Sequence, residues 1–234
     1  MATVVEEPQA VESSPLDQSG DRRFVLYDIS WEGYEMMLKI VGDRLPRVSY
    51  NRGTMELMSP GIPHEEIGRL LGILVQAVAE ELEIPCIGLK STTWKNQLVQ
   101  RGLEPDECFY LANTGYVLAK GKVLNLNVDP PPDLCIEVEI TRSAVDRMDI
   151  YAGLGVPEIW RHDGSTLHVE VLQPDGTYAE RASSRSLPFL PMTEVAQFIE
   201  RGGGMDHSRW GKLVRAWIRE TIVPLYHPPE RRAD

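Results

Sequence analysis

Between Pro63 and Pro85 apolar residues recur at helical spacing. Ile67, Leu70, Leu71, Leu74, Val78 and Leu82 share one face, Pro63 suits a first helical turn and Pro85 ends the pattern. Upstream, the chain becomes fold-like near Phe24, and Ser30 is placed to cap a short helix carrying Tyr34, Met37, Leu38 and Val41. Alternation on either side of Asn51-Arg52-Gly53 predicts a β-hairpin. Segments 86–94 and 108–111 predict strands, and Asp133 to Thr141 alternates with Leu134, Ile136, Val138 and Ile140 on one face. Asp133, Cys135, Glu137, Glu139 and Thr141 share the other face. A helix over 143–154 follows, then three strands joined at Asp163-Gly164 and Asp175-Gly176, then helices near 193–201 and 207–220.

Strands interleaved with helices define an α/β class. Residues 1–21 are rich in Glu, Ser, Pro and Gln without apolar periodicity, which predicts a disordered tail. The expected organisation is therefore a tail over 1–21, one domain over 22–201, and a C-terminal helix with its own tail over 202–234.

Composition narrows the class. Of 234 residues 42% are hydrophobic, enough for a packed core. No stretch is long and apolar enough to span a membrane, and the acidic start lacks the basic and apolar regions of a secretory signal, so a cytoplasmic protein is expected. Cys86, Cys108 and Cys135 are odd in number and widely spaced, which supports neither a disulfide framework nor a zinc ribbon. The net charge of −11 opposes capture of nucleic acid by bulk electrostatics. Residues 201–234 reverse that balance, with seven Lys or Arg against four Asp or Glu. Arg209, Lys212, Arg215 and Arg219 there fit one helix face, for which ordinary solvation is explanation enough.

Candidate chemistry lies in the carboxylates. Hard divalent cations take carboxylate oxygens and water, best held by rigid strands. Asp106 stands where one apolar strand begins and Glu137 at the middle of another, so pairing of those strands brings both to one cleft. Taken singly each has a plainer explanation: Pro-Asp forms turns, and Glu137 with Glu139 fits the wet face of a half-buried strand. His64-Glu65-Glu66 lacks the second histidine of a zinc protease motif, since position 68 is Gly.

The order of GTMELMSP (53–60), His64, EPDECFY (104–110), PPDLCIEVEIT (131–141) and IYAGLGVPEIW (150–160) resembles the Uma-type restriction endonuclease family, within the wider PD-(D/E)xK nuclease superfamily. The likeness runs from about Phe24 to Arg201. It implies a restriction-endonuclease-like core, a mixed central sheet flanked by helices, with Asp106 and Glu137 binding Mg²⁺ or, in its place, Mn²⁺. Glu56 or Glu65 is implied as an added acid, Glu56 the favoured one. Glu139 stands where the superfamily has its lysine, a departure that puts activity in question, and Arg147, four before Tyr151, is the implied replacement.

The implied function is Mg²⁺-dependent hydrolysis of DNA, with Asp106, Glu137, Glu139, Arg147 and Glu56 as candidate catalytic residues. A homodimer is expected, because two sites cut a duplex more simply than one. The competing expectation is an inactive nuclease fold used for binding or assembly. A glycosidase is disfavoured, since no run of aromatic sugar platforms surrounds the acids.

Overall fold

The computed structural model describes residues 20–121 and 123–227. The ends of the two expected tails, 1–19 and 228–234, lie outside the described residues. Strand β1 (Arg22–Leu26) precedes helix α1 (Trp31–Val41), whose N-cap Ser30 accepts a hydrogen bond from the Gly33 amide at 3.2 Å. Strands β2 (Arg47–Asn51) and β3 (Thr54–Ser59) form the expected hairpin, with Arg52 and Gly53 both at positive φ as its tight turn requires. Helix α2 (Ile62–Glu81) spans 20 residues and ends where Glu83 turns left-handed.

The segment expected to be one strand over 86–94 is instead divided. Strand β4 (Ile87–Gly88) joins one sheet, whereas β5 (Trp94–Asn96) pairs with β6 (Arg101–Leu103) in another. Lys90, at positive φ, lies between them and redirects the chain. Strands β7 (Glu107–Tyr110) and β8 (Leu134–Val138) follow, separated by a short helix α3 (Thr114–Ala119). Helix α4 (Arg147–Leu154) starts four residues later than its apolar pattern suggests. The physical reason is capture of the preceding loop: Ser143 Oγ and the Ala144 amide both donate to Glu56, at 3.0 Å each, before Asp146 caps the helix. The meander of β9 (Glu158–His162), β10 (Leu167–Leu172) and β11 (Tyr178–Arg181) and helices α5 (Met192–Gly202) and α6 (His207–Trp217) match the sequence pattern.

The expected mixed sheet forms, and a second, antiparallel sheet accompanies it. The antiparallel sheet has the order β1-β3-β2-β6-β5; the mixed sheet has the order β11-β10-β9-β8-β7-β4, with β8 and β9 parallel across the α4 crossover. Strand β8 is buried on both faces. Leu134 and Ile136 pack with Leu70, Leu71 and Leu74 of α2 and with Trp210 and Val214 of α6. Cys135 packs oppositely with Cys108, Ile150, Tyr151 and Ile159. The C-terminal helices thus share a core with α2 and do not form a separate appendage. Arg215 of α6 pairs with Glu80 at 2.9 Å and Arg219, just beyond α6, with Glu81 at 2.7 Å, so half of the basic face ties this C-terminal segment to α2. Among the described residues no helix is long and apolar enough to cross a membrane, and all three cysteines are free thiols.

Leu74 is fully buried at the centre of this packing. Leu74→Ala is expected to lower unfolding stability by about 2–5 kcal/mol, the usual range for an aliphatic truncation that leaves a cavity. Urea denaturation reads it, and an unchanged midpoint would remove α2 from the core.

Candidate active site

Antiparallel pairing of β7 with β8 aligns Glu107 with Ile136 and Cys108 with Cys135. One step further Asp106 follows the same ladder, donating its amide to the Ile136 carbonyl at 3.1 Å. There the chain leaves the sheet, and the Asp106 carboxylate takes over as acceptor for the Val138 amide at 2.6 Å. That bond locks Asp106 beside the end of the strand carrying Glu137. Asp106, just before β7, and Glu137, within β8, thus stand at paired strands.

Their surroundings differ. Asp106 faces the first turn of α2, where His64 Nε2 lies 2.8 Å from Oδ1 and the Arg47 Nη1 is bonded to the same oxygen. Gly68 permits this approach: a Cβ there would meet the Asp106 Cβ at 3.3 Å. Burial alone pushes the Asp106 pKa up, but the His64 bond and charge, the Arg47 charge and the Val138 amide outweigh it and hold it down at about 2. Glu137 is enclosed beneath α4. Its Oε2 accepts from Tyr151 Oη at 2.6 Å and Arg147 Nη2 at 2.8 Å, while Arg147 Nε lies against Oε1 as an ion-pair contact without hydrogen-bond alignment. Burial raises the Glu137 pKa and the Asp106 charge adds to it, against the pull of Arg147.

Arg147 heads α4, as expected, but its guanidinium is spent inside the protein: Nη1 donates to Ser49 Oγ at 2.6 Å, Nη2 to Glu104 O at 3.0 Å and to Glu137. Glu56 is fully buried and bonded to Arg23 at 2.6 Å besides Ser143 and Ala144, so it braces a loop and touches neither Asp106 nor Glu137. Glu65, the alternative acid, reaches the site through Arg47, whose Nη2 donates to it at 2.7 Å. Glu139 lies one residue past β8, half-buried, with no hydrogen bond or ion pair through its side chain among the described residues.

Three participants were not foreseen. Arg47 begins a hairpin strand with no distinguishing neighbours, and nothing in its local sequence signals a role. His64 enters the sequence reading as half of an incomplete zinc motif and as one step in the family's order of motifs, with no role assigned to it. Asp21, assigned by composition to the tail, has a fully buried side chain; it accepts from the Gly61 amide at 2.7 Å and from Thr141 Oγ1 at 2.9 Å, and lies 3.3 Å from His64 Nδ1.

His64 thus sits between two carboxylates. Burial pulls its pKa down, but the Asp106 bond and charge, with Asp21 and Glu137, outweigh this and raise it above the ordinary 6.5. Because the folded value is raised, the stabilisation from charged His64 is complete below pH 6.5 and is lost as pH rises through that raised value. Asp106 works oppositely: its contribution is present above its ordinary pKa of 3.8 and is lost as pH falls toward about 2. Thermal unfolding should therefore show greatest stability between these limits, with an alkaline decline that His64→Gln removes. A parent whose stability stays flat from pH 6 to 9 would show that His64 is not charged.

Asp106, Arg47, His64 and Glu65 line an open cleft of about 470 Å³, together with Arg69, Lys90 and Glu107. Asp106 and Glu137 fit a hard cation in kind, being carboxylates on rigid strands without thiolates. Among the described residues no three His, Cys, Asp or Glu side chains gather closely enough to cage an ion by themselves. Carboxylate donors without thiolates suit a hard ion and not a structural zinc.

Comparison with curated proteins finds no match to this chain. A family model does match, over residues 31–200: Uma2, described as "Putative restriction endonuclease". That span holds α1 through most of α5, including Arg47, His64, Asp106, Glu137 and Arg147, and covers well over half of the chain. The chain belongs to the Uma2 family, and its two-sheet α/β architecture is of the restriction-endonuclease-like kind.

Proposed function

We propose that the protein is a metal-dependent endonuclease that hydrolyses DNA phosphodiester bonds at the Asp106 cleft. The observation that carries this reading is the placement of Asp106 and Glu137 at paired strands, close enough for the charge of one to act on the other, with Asp106 opening on the cleft, in a chain of this family. Asp106 and Glu137 would hold the ion with water and phosphate oxygens. A bound divalent ion supplies polarisation of the phosphate and a lowered pKa for the attacking water.

The protein's own residues prepare that site. Asp106 is kept ionised by His64 and Arg47 and oriented by the Val138 amide. Arg147 and Tyr151 fix the Glu137 side chain and compensate its burial. Arg147 acts here as a positioning residue for Glu137, since its guanidinium is already committed.

One observation favours a second reading, a binding or assembly protein without catalysis: both carboxylates are already neutralised by protein cations, Asp106 by Arg47 and Glu137 by Arg147. Incubation of the purified protein with single- and double-stranded DNA in Mg²⁺, Mn²⁺ or EDTA separates the two. Cleavage that needs the metal and is lost in Asp106→Ala supports the endonuclease. No cleavage in any metal gives the second reading precedence.

A further inference from the structure

The cation that opens on the cleft is Arg47. Its side chain is 12% exposed and is held by two acids, Asp106 through Nη1 and Glu65 through Nη2. Glu65 is itself 53% exposed, so one end of this bridge is a solvent-screened pair of small strength. The other end occupies Asp106 Oδ1, an oxygen any ion bound through Asp106 competes for. Arg47 also lines a second depression, of about 570 Å³, with Lys90, Ser91 and Glu104. Sharing Arg47, Lys90 and Ser91, the two depressions form one groove that passes over Asp106. Arg69 and Lys90 also line it, exposed, their side chains making no hydrogen bond or ion pair among the described residues.

We infer that Arg47 is a displaceable phosphate ligand: it stands in for a cation at Asp106 and, when a metal takes that oxygen, turns to a backbone phosphate of the nucleic acid in the groove. This deepens the endonuclease reading and rests on it. Three features support it. A guanidinium presents a planar fork suited to either a carboxylate or a phosphate, so the exchange costs it little geometry. Metal binding removes the carboxylate that held Arg47, leaving the guanidinium free to accept a new anion within the groove. In the absence of metal the same contact offsets the charge of a buried Asp106, which explains the bridge between Arg47 and the acid lining the cleft.

The exchange makes a signature that a structural ion pair does not. Metal and guanidinium compete for Asp106, while metal and phosphate binding assist each other through the released Arg47, a reciprocal coupling. Arg47→Met keeps the aliphatic stem and removes the competitor. Titration calorimetry should show Mn²⁺ binding roughly tenfold tighter than in the parent, within the usual range of coupling between sites. Anisotropy with a labelled duplex in Ca²⁺ should show weaker binding and a salt slope smaller by about one, as loss of one phosphate contact requires. Arg47→Lys retains charge without the fork, so it should also bind Mn²⁺ more tightly yet keep the parent salt slope. It serves as the test should the methionine variant not fold.

Unchanged Mn²⁺ affinity in the folded variants, or an unchanged salt slope in Arg47→Met, overturns the exchange while leaving the nuclease reading intact. A parent that binds neither Mn²⁺ nor DNA overturns the nuclease reading and the exchange together.

Discussion

Asp106→Asn is expected to abolish metal-dependent cleavage, by more than roughly 10²-fold, because removing partners that merely support a metal ligand already costs 10–100-fold. The asparagine preserves side-chain size and can still accept from the Val138 amide, so the backbone at the end of β7 should hold. What disappears is the charge that Arg47 and His64 both address. The depression of the Asp106 pKa from 3.8 to about 2 corresponds to roughly 2 kcal/mol of stabilisation near neutral pH, and the variant should lose a sum of that order. Single-turnover cleavage in Mg²⁺ and urea unfolding check the two parts separately. Parent-like cleavage by a folded Asp106→Asn protein would exclude Asp106 as a metal ligand.

Breaking the Glu137–Arg147 pair should produce the largest loss of stability. Both side chains are nearly inaccessible, at 4% and 8% exposure, and Tyr151 supplies the other strong bond to the glutamate. Arg147→Met leaves a carboxylate buried without its cation, which typically costs 3–5 kcal/mol. Replacing both partners, as in Glu137→Gln with Arg147→Met, removes the stranded charge and should recover much of that loss. Both variants should fail to cleave, since one loses the orientation of Glu137 and the other its charge. Equal denaturation midpoints for the parent and Arg147→Met would show that the pair is not formed in solution. A double variant no more stable than Arg147→Met would place the cost in lost packing, not in the uncompensated charge.

Helix α2, the hairpin at Arg52-Gly53, the cap Ser30 and the β9–β11 meander were legible in the sequence because each rests on local rules: periodicity, positive φ at a turn, a side-chain acceptor for an orphan amide. The order of motifs likewise brought Asp106 and Glu137 forward. Alternation in β8, by contrast, leaves open the plainer explanation that Glu137 and Glu139 form a wet face. For Glu137 that explanation fails, because the side chain is buried and accepts from Arg147 and Tyr151. A polar residue in a strand tells its facing direction, not whether a distant helix will cover it.

Local sequence thus determined where most elements form and which two acids the chain brings to neighbouring strands. Tertiary structure decided what those acids meet. Arg47 lies 59 positions from Asp106 and His64 lies 42 from it, so no spacing rule links them. Division of the 86–94 segment between two sheets, delay of α4 by Glu56, and recruitment of Asp21 from an apparently featureless tail are of the same kind. Each is decided by hydrogen bonds and charges between segments far apart in the chain, whose partners exist only once the core of α2, β8 and α6 has brought them together.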